Sequence, residues 1–86
     1  MKDGRGLLAI KNNPSDTGEY IGQIKNGARD GKGIMLYEDQ VGKLSGKKYN
    51  GTWSQGKRDG FGSLTNDGIL VYKGTWKNDN EVLGKG

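Results

Sequence analysis

Aromatic residues, glycine and apolar residues alternate with other residue types in three short segments of this chain. Each segment begins with tyrosine, has glycine two residues later and ends with isoleucine or tryptophan two residues after that. Because side chains alternate between the two faces of a strand, this spacing places the three positions on one face. We therefore predict three strands, in which the glycine leaves room for a neighbouring ring. The segments are Tyr20, Gly22 and Ile24; Tyr49, Gly51 and Trp53; and Tyr72, Gly74 and Trp76.

A second pattern follows the first two segments. An aspartate-glycine pair, which is a strong turn signal, precedes another glycine two residues later. These glycine pairs are Gly31/Gly33 and Gly60/Gly62, and the apolar residues Met35 and Leu64 come next on the same predicted face. Each repeat is therefore expected to form one hairpin. The pattern predicts an all-β fold of consecutive antiparallel β-hairpins, stacked into an elongated, twisted sheet.

The spacing of the tyrosines divides a single repeat domain, residues 1–86. Tyr49 and Tyr72 are 23 residues apart, whereas Tyr20 and Tyr49 are 29 residues apart. The surplus lies within residues 38–48, which contain two glycines and a serine and are predicted to form a longer loop. The predicted parts are a half repeat plus loop (1–19), a repeat with the inserted loop (20–48), a full repeat (49–71) and a truncated repeat (72–86).

Composition limits the chemistry that this chain can perform. Its 86 residues are only 30% hydrophobic, which allows one small core, but its 17 glycines fall in phase with the aromatic residues rather than at random. The absence of cysteine and histidine removes thiol nucleophiles, zinc-thiolate sites and the commonest general base. No pair of nucleophile and base can be assembled from the remaining residues. We therefore predict a protein that is not an enzyme and that uses no cofactor or metal.

The tyrosine, glycine and tryptophan positions, repeated at the 23-residue spacing, resemble the MORN repeat (membrane occupation and recognition nexus). The resemblance covers nearly the whole chain and is closest over residues 49–71. The chain departs from the pattern in the insert after Met35, in Asp79, which stands where the earlier copies have glycine, and in the lack of finished end caps. The resemblance implies a rod or groove of hairpins that acts as a scaffold or interaction module. Such repeats occur in cytoskeletal, ciliary and junctional membrane proteins, and beside lipid-kinase or methyltransferase domains.

These observations favour a non-catalytic structural or protein-interaction module, a scaffold subunit or adaptor in a larger assembly. Partners would be other protein subunits, or a second copy of the chain, joined by strand addition at the open ends. Stacking on nucleic-acid bases is disfavoured, because aromatic residues repeated with glycine indicate rings that pack against one another. The candidate partner-binding groove comprises Tyr20, Ile24, Tyr49, Trp53, Tyr72 and Trp76, and the structural glycines are Gly22, Gly31, Gly33, Gly51, Gly60, Gly62 and Gly74.

The net charge of +4 supports an alternative, peripheral binding to an anionic, phosphoinositide-type phospholipid. Lys2, Arg29 and Arg58 share one repeat position and would form a basic edge, in which each charge near a membrane contributes about 1 kcal/mol. An aspartate follows each of them directly and offsets this attraction. The chain starts without the apolar stretch of a secretory signal. We therefore expect an intracellular, cytoplasmic protein associated with the cytoskeleton, a cilium or a membrane.

Overall fold

The computed structural model describes residues 4–39 and 41–82. Every regular element in this part of the chain is a strand, and the strands form one antiparallel sheet in chain order. The predicted all-β array of consecutive hairpins is therefore confirmed. The strands are β1 (Gly4–Asn13), β2 (Asp16–Lys25), β3 (Ala28–Glu38), β4 (Leu44–Ser54), β5 (Lys57–Asn66), β6 (Ile69–Lys77) and β7 (Asn80–Glu81).

The turns of the hairpins lie earlier in the sequence than predicted. Two-residue turns, in which both residues have positive φ, join β2 to β3 and β4 to β5; the second consists of Gln55 (φ 52°) and Gly56 (φ 85°). This is the type I′ geometry, whose twist matches that of the flanking strands. The aspartate-glycine pairs lie inside β3 and β5 instead. In β5, Gly60 has a φ of 99° and lies in a β-bulge. The bulge shifts the register of β5 against β4 between the Gly51–Gly62 pair and the Trp53–Arg58 pair.

The inserted segment is part strand and part loop, since residues 39–43 lie between the two strands. Strand β3 continues to Glu38 and β4 begins at Leu44, and these two residues pair with each other. Asp39 closes the connection, because its backbone N–H donates to the Lys43 carbonyl at 2.7 Å. The surplus residues therefore lengthen the β3–β4 connection as hydrogen-bonded structure.

The strands bend, so that the sheet has a concave inner face and a convex outer face. Arg29 pairs with Ile24 near the end of β2, whereas Asp16 begins that strand. An extended ten-residue strand spans about 30 Å, yet the Arg29 and Asp16 side chains are 2.8 Å apart. The two ends of the strand therefore approach each other across the inner face. The described part of the chain measures 39 × 28 × 20 Å.

The core lies on the inner face. Its buried side chains alternate along each strand with residues that point to the outer face, as the period of two requires. Tyr20, Met35 and Tyr49 are fully buried. A single-layer sheet can bury such large side chains only because the bent strands close over them. The core consists of Tyr20, Ile24, Met35, Tyr37, Tyr49, Trp53, Leu64 and Trp76, with Leu8, Ile10 and Tyr72 packed against it.

Candidate interaction site

Five aromatic side chains form a continuous row along the inner face, the aromatic ladder, consisting in order of Tyr20, Trp53, Tyr49, Trp76 and Tyr72. Neighbouring ring centroids are 4.9 to 5.6 Å apart, and the planes meet at 83 to 85°. This edge-to-face arrangement places the positive edge of one ring on the negative face of the next, and each such pair contributes about 0.5–1.5 kcal/mol beyond area burial. The ladder therefore joins successive hairpins.

The polar atoms of the aromatic ladder are satisfied by the backbone. The Trp53 indole N–H donates to the Gly33 carbonyl at 3.2 Å, and that of Trp76 donates to the Gly62 carbonyl at 3.0 Å. The Tyr20 hydroxyl donates to the Gln23 carbonyl at 2.7 Å, and that of Tyr49 to the Thr52 carbonyl at 3.1 Å. Buried indole and hydroxyl groups need such partners. The ladder thus resembles a protein interior in its hydrogen bonding.

The structure places the predicted groove residues in the core. Tyr20, Ile24, Tyr49, Trp53 and Trp76 are 0 to 5% exposed, and Tyr72 is half-buried. The predicted face is correct, but these side chains contact each other rather than line an open groove. Of the six side chains, Tyr72 at the end of the ladder is the most accessible.

Arg29 closes the inner face over the first hairpin. Its guanidinium makes two parallel hydrogen bonds to the Asp16 carboxylate, at 2.8 and 2.9 Å, and a third to the Gly56 carbonyl at 2.7 Å. Its carbon Cζ lies 4.5 Å from the Trp53 ring centroid, within range of a cation–π interaction. Partial burial by itself raises the pKa of Asp16, but hydrogen bonds from Arg29 and Asn12 outweigh it, so the pKa lies below its ordinary value.

Arg58 occupies the equivalent place in the second hairpin. Its Cζ lies 4.7 Å from the Trp76 ring centroid, and its Nε donates to the Asp79 carboxylate at 3.2 Å. Arg29 is 4% exposed and the Arg58 side chain is 19% exposed, and both are paired with acids. Two of the three cations of the predicted basic edge, Arg29 and Arg58, are therefore paired with acids within the chain. The third, Lys2, lies outside the described residues.

The structural glycines provide the space in which the tyrosine rings lie. A Cβ atom built at Gly33 would be 2.1 Å from the Tyr20 hydroxyl oxygen, and one at Gly62 would be 2.1 Å from that of Tyr49. Gly22, Gly51 and Gly74 face the hydroxyl of the tyrosine on their own strand in the same way, with distances of 2.7 to 2.9 Å. Gly31 and Gly60 have positive φ and lie at the bulges. Ring packing thus accounts for the paired glycines, and backbone bulges account for Gly31 and Gly60.

The tyrosine hydroxyls of the core are poor acids. Burial raises the pKa of Tyr37 and that of Tyr49 to about 12, and burial likewise raises that of Tyr20. Desolvation disfavours the charged phenolate in each case. These hydroxyls stay protonated near neutral pH, and those of Tyr20 and Tyr49 donate to backbone carbonyls.

An exposed apolar row crosses the outer face at its amino-terminal end. Leu7 pairs with Ile21, which pairs with Ile34, so the three side chains lie side by side; we call them the outer-face row. Leu7 is 72% and Ile21 45% exposed, and the row lines a shallow depression of about 500 Å³. The sequence interpretation missed this row. Its signal was present, because these residues alternate with the inward-facing positions of β1, β2 and β3.

The described part of the chain holds neither a cluster of metal ligands nor a membrane-spanning helix. No three histidine, cysteine, aspartate or glutamate residues come together there as metal ligands would. In residues 4–39 and 41–82, no helix is long and apolar enough to cross a membrane.

The fold and the aromatic ladder define a β-hairpin repeat protein, and sequence comparisons specify the family. The MORN repeat matches residues 20–41, 49–68 and 72–85, and the chain belongs to this family. Its membership makes it a repeat-based interaction module.

Two curated proteins are similar to this chain. It is 38% identical over 69 residues to MORN repeat-containing protein 3 of Xenopus laevis, a match that covers 73% of this chain and 27% of the relative. It is 35% identical over 68 residues to the inactive protein tyrosine kinase pTKL of Plasmodium falciparum, covering 78% of this chain and 4% of the relative. The chain thus spans about a quarter or less of the length of these relatives.

Proposed function

We propose that this protein is a non-catalytic scaffold subunit or adaptor, which binds other protein subunits through its outer face and its sheet edges. The observation that carries the proposal is the outer-face row, which leaves Leu7 exposed on β1 and Ile21 exposed on β2, and among the described strands β1 has a neighbour on one side alone. The aromatic ladder is already occupied by packing within the chain. The row and the adjacent edge together offer apolar contact and unpaired backbone groups, the two elements of recognition by strand addition.

The chemistry of the inner face agrees with a structural role. The most strongly buried ionisable groups are tyrosines with a raised pKa and an arginine bound to a carboxylate, so their hydrogen bonds hold the fold. The similarity to a kinase described as inactive extends over 4% of that protein. Repeats of this family are generally non-catalytic, and we extend that property to this chain.

The test is the native size of the protein when it is gently fractionated from its source, with mass spectrometry of what co-elutes. We expect a large, salt-stable particle. A variant with Leu7→Lys and Ile21→Lys, both at exposed positions, should leave the particle while remaining folded. Val41→Lys is the matched control, because Val41 is 77% exposed but lies in the β3–β4 connection, away from the outer-face row and the sheet edges. Elution of the unaltered protein as a free small species would contradict the proposal.

Peripheral binding to anionic phospholipid is the alternative, and it needs cations other than Arg29 and Arg58. Exposed lysines on the outer face, such as Lys32, Lys48 and Lys73, are the available group. Binding to vesicles that contain a phosphoinositide should then weaken with salt and with charge reversal of these three lysines. Charge reversal of Lys43, which is exposed in the β3–β4 connection rather than on the outer face of a strand, is the control. Vesicle binding that ignores salt and the three reversals would remove this alternative.

A further inference from the structure

A row of paired glycines crosses the sheet at right angles to the strands. Gly6 pairs with Gly22, Gly22 with Gly33, and Gly33 with Gly51. On the inner face, tyrosine hydroxyls lie against the later glycines, whereas a Cβ added at Gly6 would meet only the Ile24 Cδ1 atom, at 3.8 Å. On the outer face, Gly6, Gly22 and Gly33 form the floor of the depression of about 500 Å³. The depression therefore runs across the strands, and we call it the outer-face groove.

The two walls of the outer-face groove differ in chemistry. One wall is the outer-face row, which is apolar. The other wall carries Arg5 on β1 and Lys32 on β3, each one residue before a glycine of the floor, and Gln23 of β2 pairs with Arg5. Both cations are exposed, and within residues 4–39 and 41–82 neither forms an ion pair. The groove thus has one apolar wall and one positively charged wall.

The centre of the groove does not depend on what lies beside β1. Ile21, Lys32 and Ile34 belong to β2 and β3, and each of these strands pairs with a strand on both sides. Ile21 is nevertheless 45% exposed. Apolar side chains in register on neighbouring strands form a contiguous patch, which marks an interaction surface more strongly than scattered apolar residues do.

The length of the apolar wall matches two turns of an α-helix. Neighbouring strands lie about 4.8 Å apart, so the outer-face row spans about 10 Å from β1 to β3. In an α-helix, residues i and i+7 are about 10.5 Å apart on one face, and residue i+3 or i+4 lies between them. Beyond Ile34 the row continues with the polar Asn50 and Ser63. Three apolar residues of a helix that lies along the groove would therefore cover the whole apolar wall.

We propose that the outer-face groove binds an amphipathic α-helix of a partner protein, which has apolar residues on one side and acidic residues on the adjoining side. This inference rests on the proposed function and specifies the chemistry of the partner. The apolar residues pack on the outer-face row, and the acids face Arg5 and Lys32. Glu19, an acid of the outer face, lies on the far side of the row, where it pairs with Ala9 and Leu36. An apolar helix face in a groove is a recurrent mode of recognition.

The charge and shape of the groove argue against two other occupants. A second copy of the chain would bring its own Arg5 and Lys32 to the groove, and like charges that meet at an interface repel one another. A flat bilayer would contact the convex outer face broadly, whereas the apolar side chains form a short row on one wall of a depression. A separate acidic helix satisfies both walls.

The experiment is an NMR titration of the pure chain with a synthetic peptide of about 15 residues, a length at which an isolated helix becomes stable enough to populate. The peptide has leucine at i, i+4 and i+7 and glutamate on the adjoining side. We expect the amide signals of Ile21, Lys32 and Ile34 to shift, while that of Leu44, which lies outside the groove, stays in place. A second peptide, with lysine at every glutamate position, should bind about tenfold more weakly.

Two variants test the two walls separately. Arg5→Glu combined with Lys32→Glu should reverse the preference, so that this variant binds the lysine peptide more tightly than the glutamate peptide. Ile21→Gln removes apolar contact and should weaken the binding of the glutamate peptide about tenfold. Lys43→Glu combined with Lys57→Glu is the matched control, because it changes the net charge equally at exposed positions outside the groove. The control should keep the original preference.

Four results would overturn this inference. They are unshifted groove amides at millimolar glutamate peptide, equal affinity for the two peptides, a charge-reversed variant that still prefers glutamate, and binding of the groove to phosphatidylserine vesicles in place of the peptide. Each leaves the proposed function to its own test, because the native particle can be held through a partner of different chemistry. Conversely, selective binding of the glutamate peptide would stand even if no large particle were found.

Discussion

The first hairpin, β2–β3, and the second hairpin, β4–β5, share a backbone arrangement but close their inner faces with different ion pairs. In the first, Arg29 reaches across the inner face to Asp16 and forms two hydrogen bonds with its carboxylate. In the second, Arg58 turns to Asp79 in the following turn and forms one side-chain bond. Both guanidinium groups nevertheless lie over a tryptophan, at 4.5 and 4.7 Å from the ring centroids.

The difference arises at two positions outside the repeated pattern. Four residues before the tyrosine, the first hairpin has Asp16 and the second has Ser45. The second position lies seven residues after the tyrosine of the next repeat, and it is Gly56 for the first hairpin and Asp79 for the second. Arg29 donates to the backbone carbonyl of Gly56, and Arg58 donates to that of Asp79. Each arginine therefore has one acid within reach, on opposite sides. The repeat determines where the arginine lies, and residues between the repeated positions determine its partner.

One consequence is that the two arginines differ in how fully their N–H donors are hydrogen-bonded. The Nε atom of Arg29 is buried and has no hydrogen-bond partner, whereas that of Arg58 binds Asp79. A buried donor without a partner costs roughly 1–3 kcal/mol. The bidentate contact with Asp16 offsets this cost for Arg29, so the first closure depends on a single acid.

The largest expected effect concerns what the two hairpins share. Gly33→Ala and Gly62→Ala would each place a Cβ atom 2.1 Å from a buried tyrosine hydroxyl oxygen. Overpacking of this kind usually costs about 1–3 kcal/mol, and here the tyrosine also loses its hydrogen bond, so we expect a loss of about 3 kcal/mol or more. Urea unfolding followed by tryptophan fluorescence measures it. Gly6→Ala is the control, and a loss of equal size there would contradict the ring-packing explanation.

Removal of each ion pair should lower the unfolding free energy by different amounts in the two hairpins. Asp16→Asn leaves a buried arginine charge without its carboxylate, which is expected to cost about 3 kcal/mol. Asp79→Asn removes a partner that is 41% exposed, and we expect a loss of about 0.5–1 kcal/mol. The comparison of the two unfolding free energies is the measurement. Equal losses would show that the bend of the first hairpin does not depend on Asp16.

A transplant sharpens the comparison further. Gly56→Asp places an aspartate where Arg58 finds Asp79, and aspartate is accepted at this positive φ, since Asp79 itself has a φ of 70°. In the Asp16→Asn background it should give Arg29 a new partner and recover about 1 kcal/mol. Gly56→Asn is the neutral control. Equal stability of the aspartate and asparagine versions would show that the two turns are not interchangeable.

The elements that could be predicted from sequence are those that depend on local alternation. Tyr20, Gly22 and Ile24 lie on one face because a strand has a period of two, and the glycines oppose one another because each repeat has the same spacing. The family resemblance followed from the same positions. Those positions also identified the inner face, although the side chains on it turned out to be core.

The remaining features depend on contacts between distant residues. The bend that brings Asp16 to Arg29 joins the two ends of a hairpin, and no local pattern reports it. Burial of Arg29 follows from that bend, which is why a basic edge was expected from spacing alone. The aspartate-glycine pairs predict turns wrongly, because a bulge within a strand uses the same positive-φ glycine.

The smallest expected effect is the pH dependence of the first closure. Burial alone would raise the pKa of Asp16, but the hydrogen bonds from Arg29 and Asn12 bring it below the ordinary 3.8. The unfolded chain therefore binds this proton more tightly than the folded chain. The stabilisation is fully present above the unfolded-state pKa, about 3.9, and is lost as the pH falls through the folded-state value. Urea unfolding at successive pH values should show a constant difference between the unaltered protein and Asp16→Asn at neutral pH, and a shrinking one under acid. A difference that persists unchanged in acid would mean that Asp16 acts by packing rather than by charge.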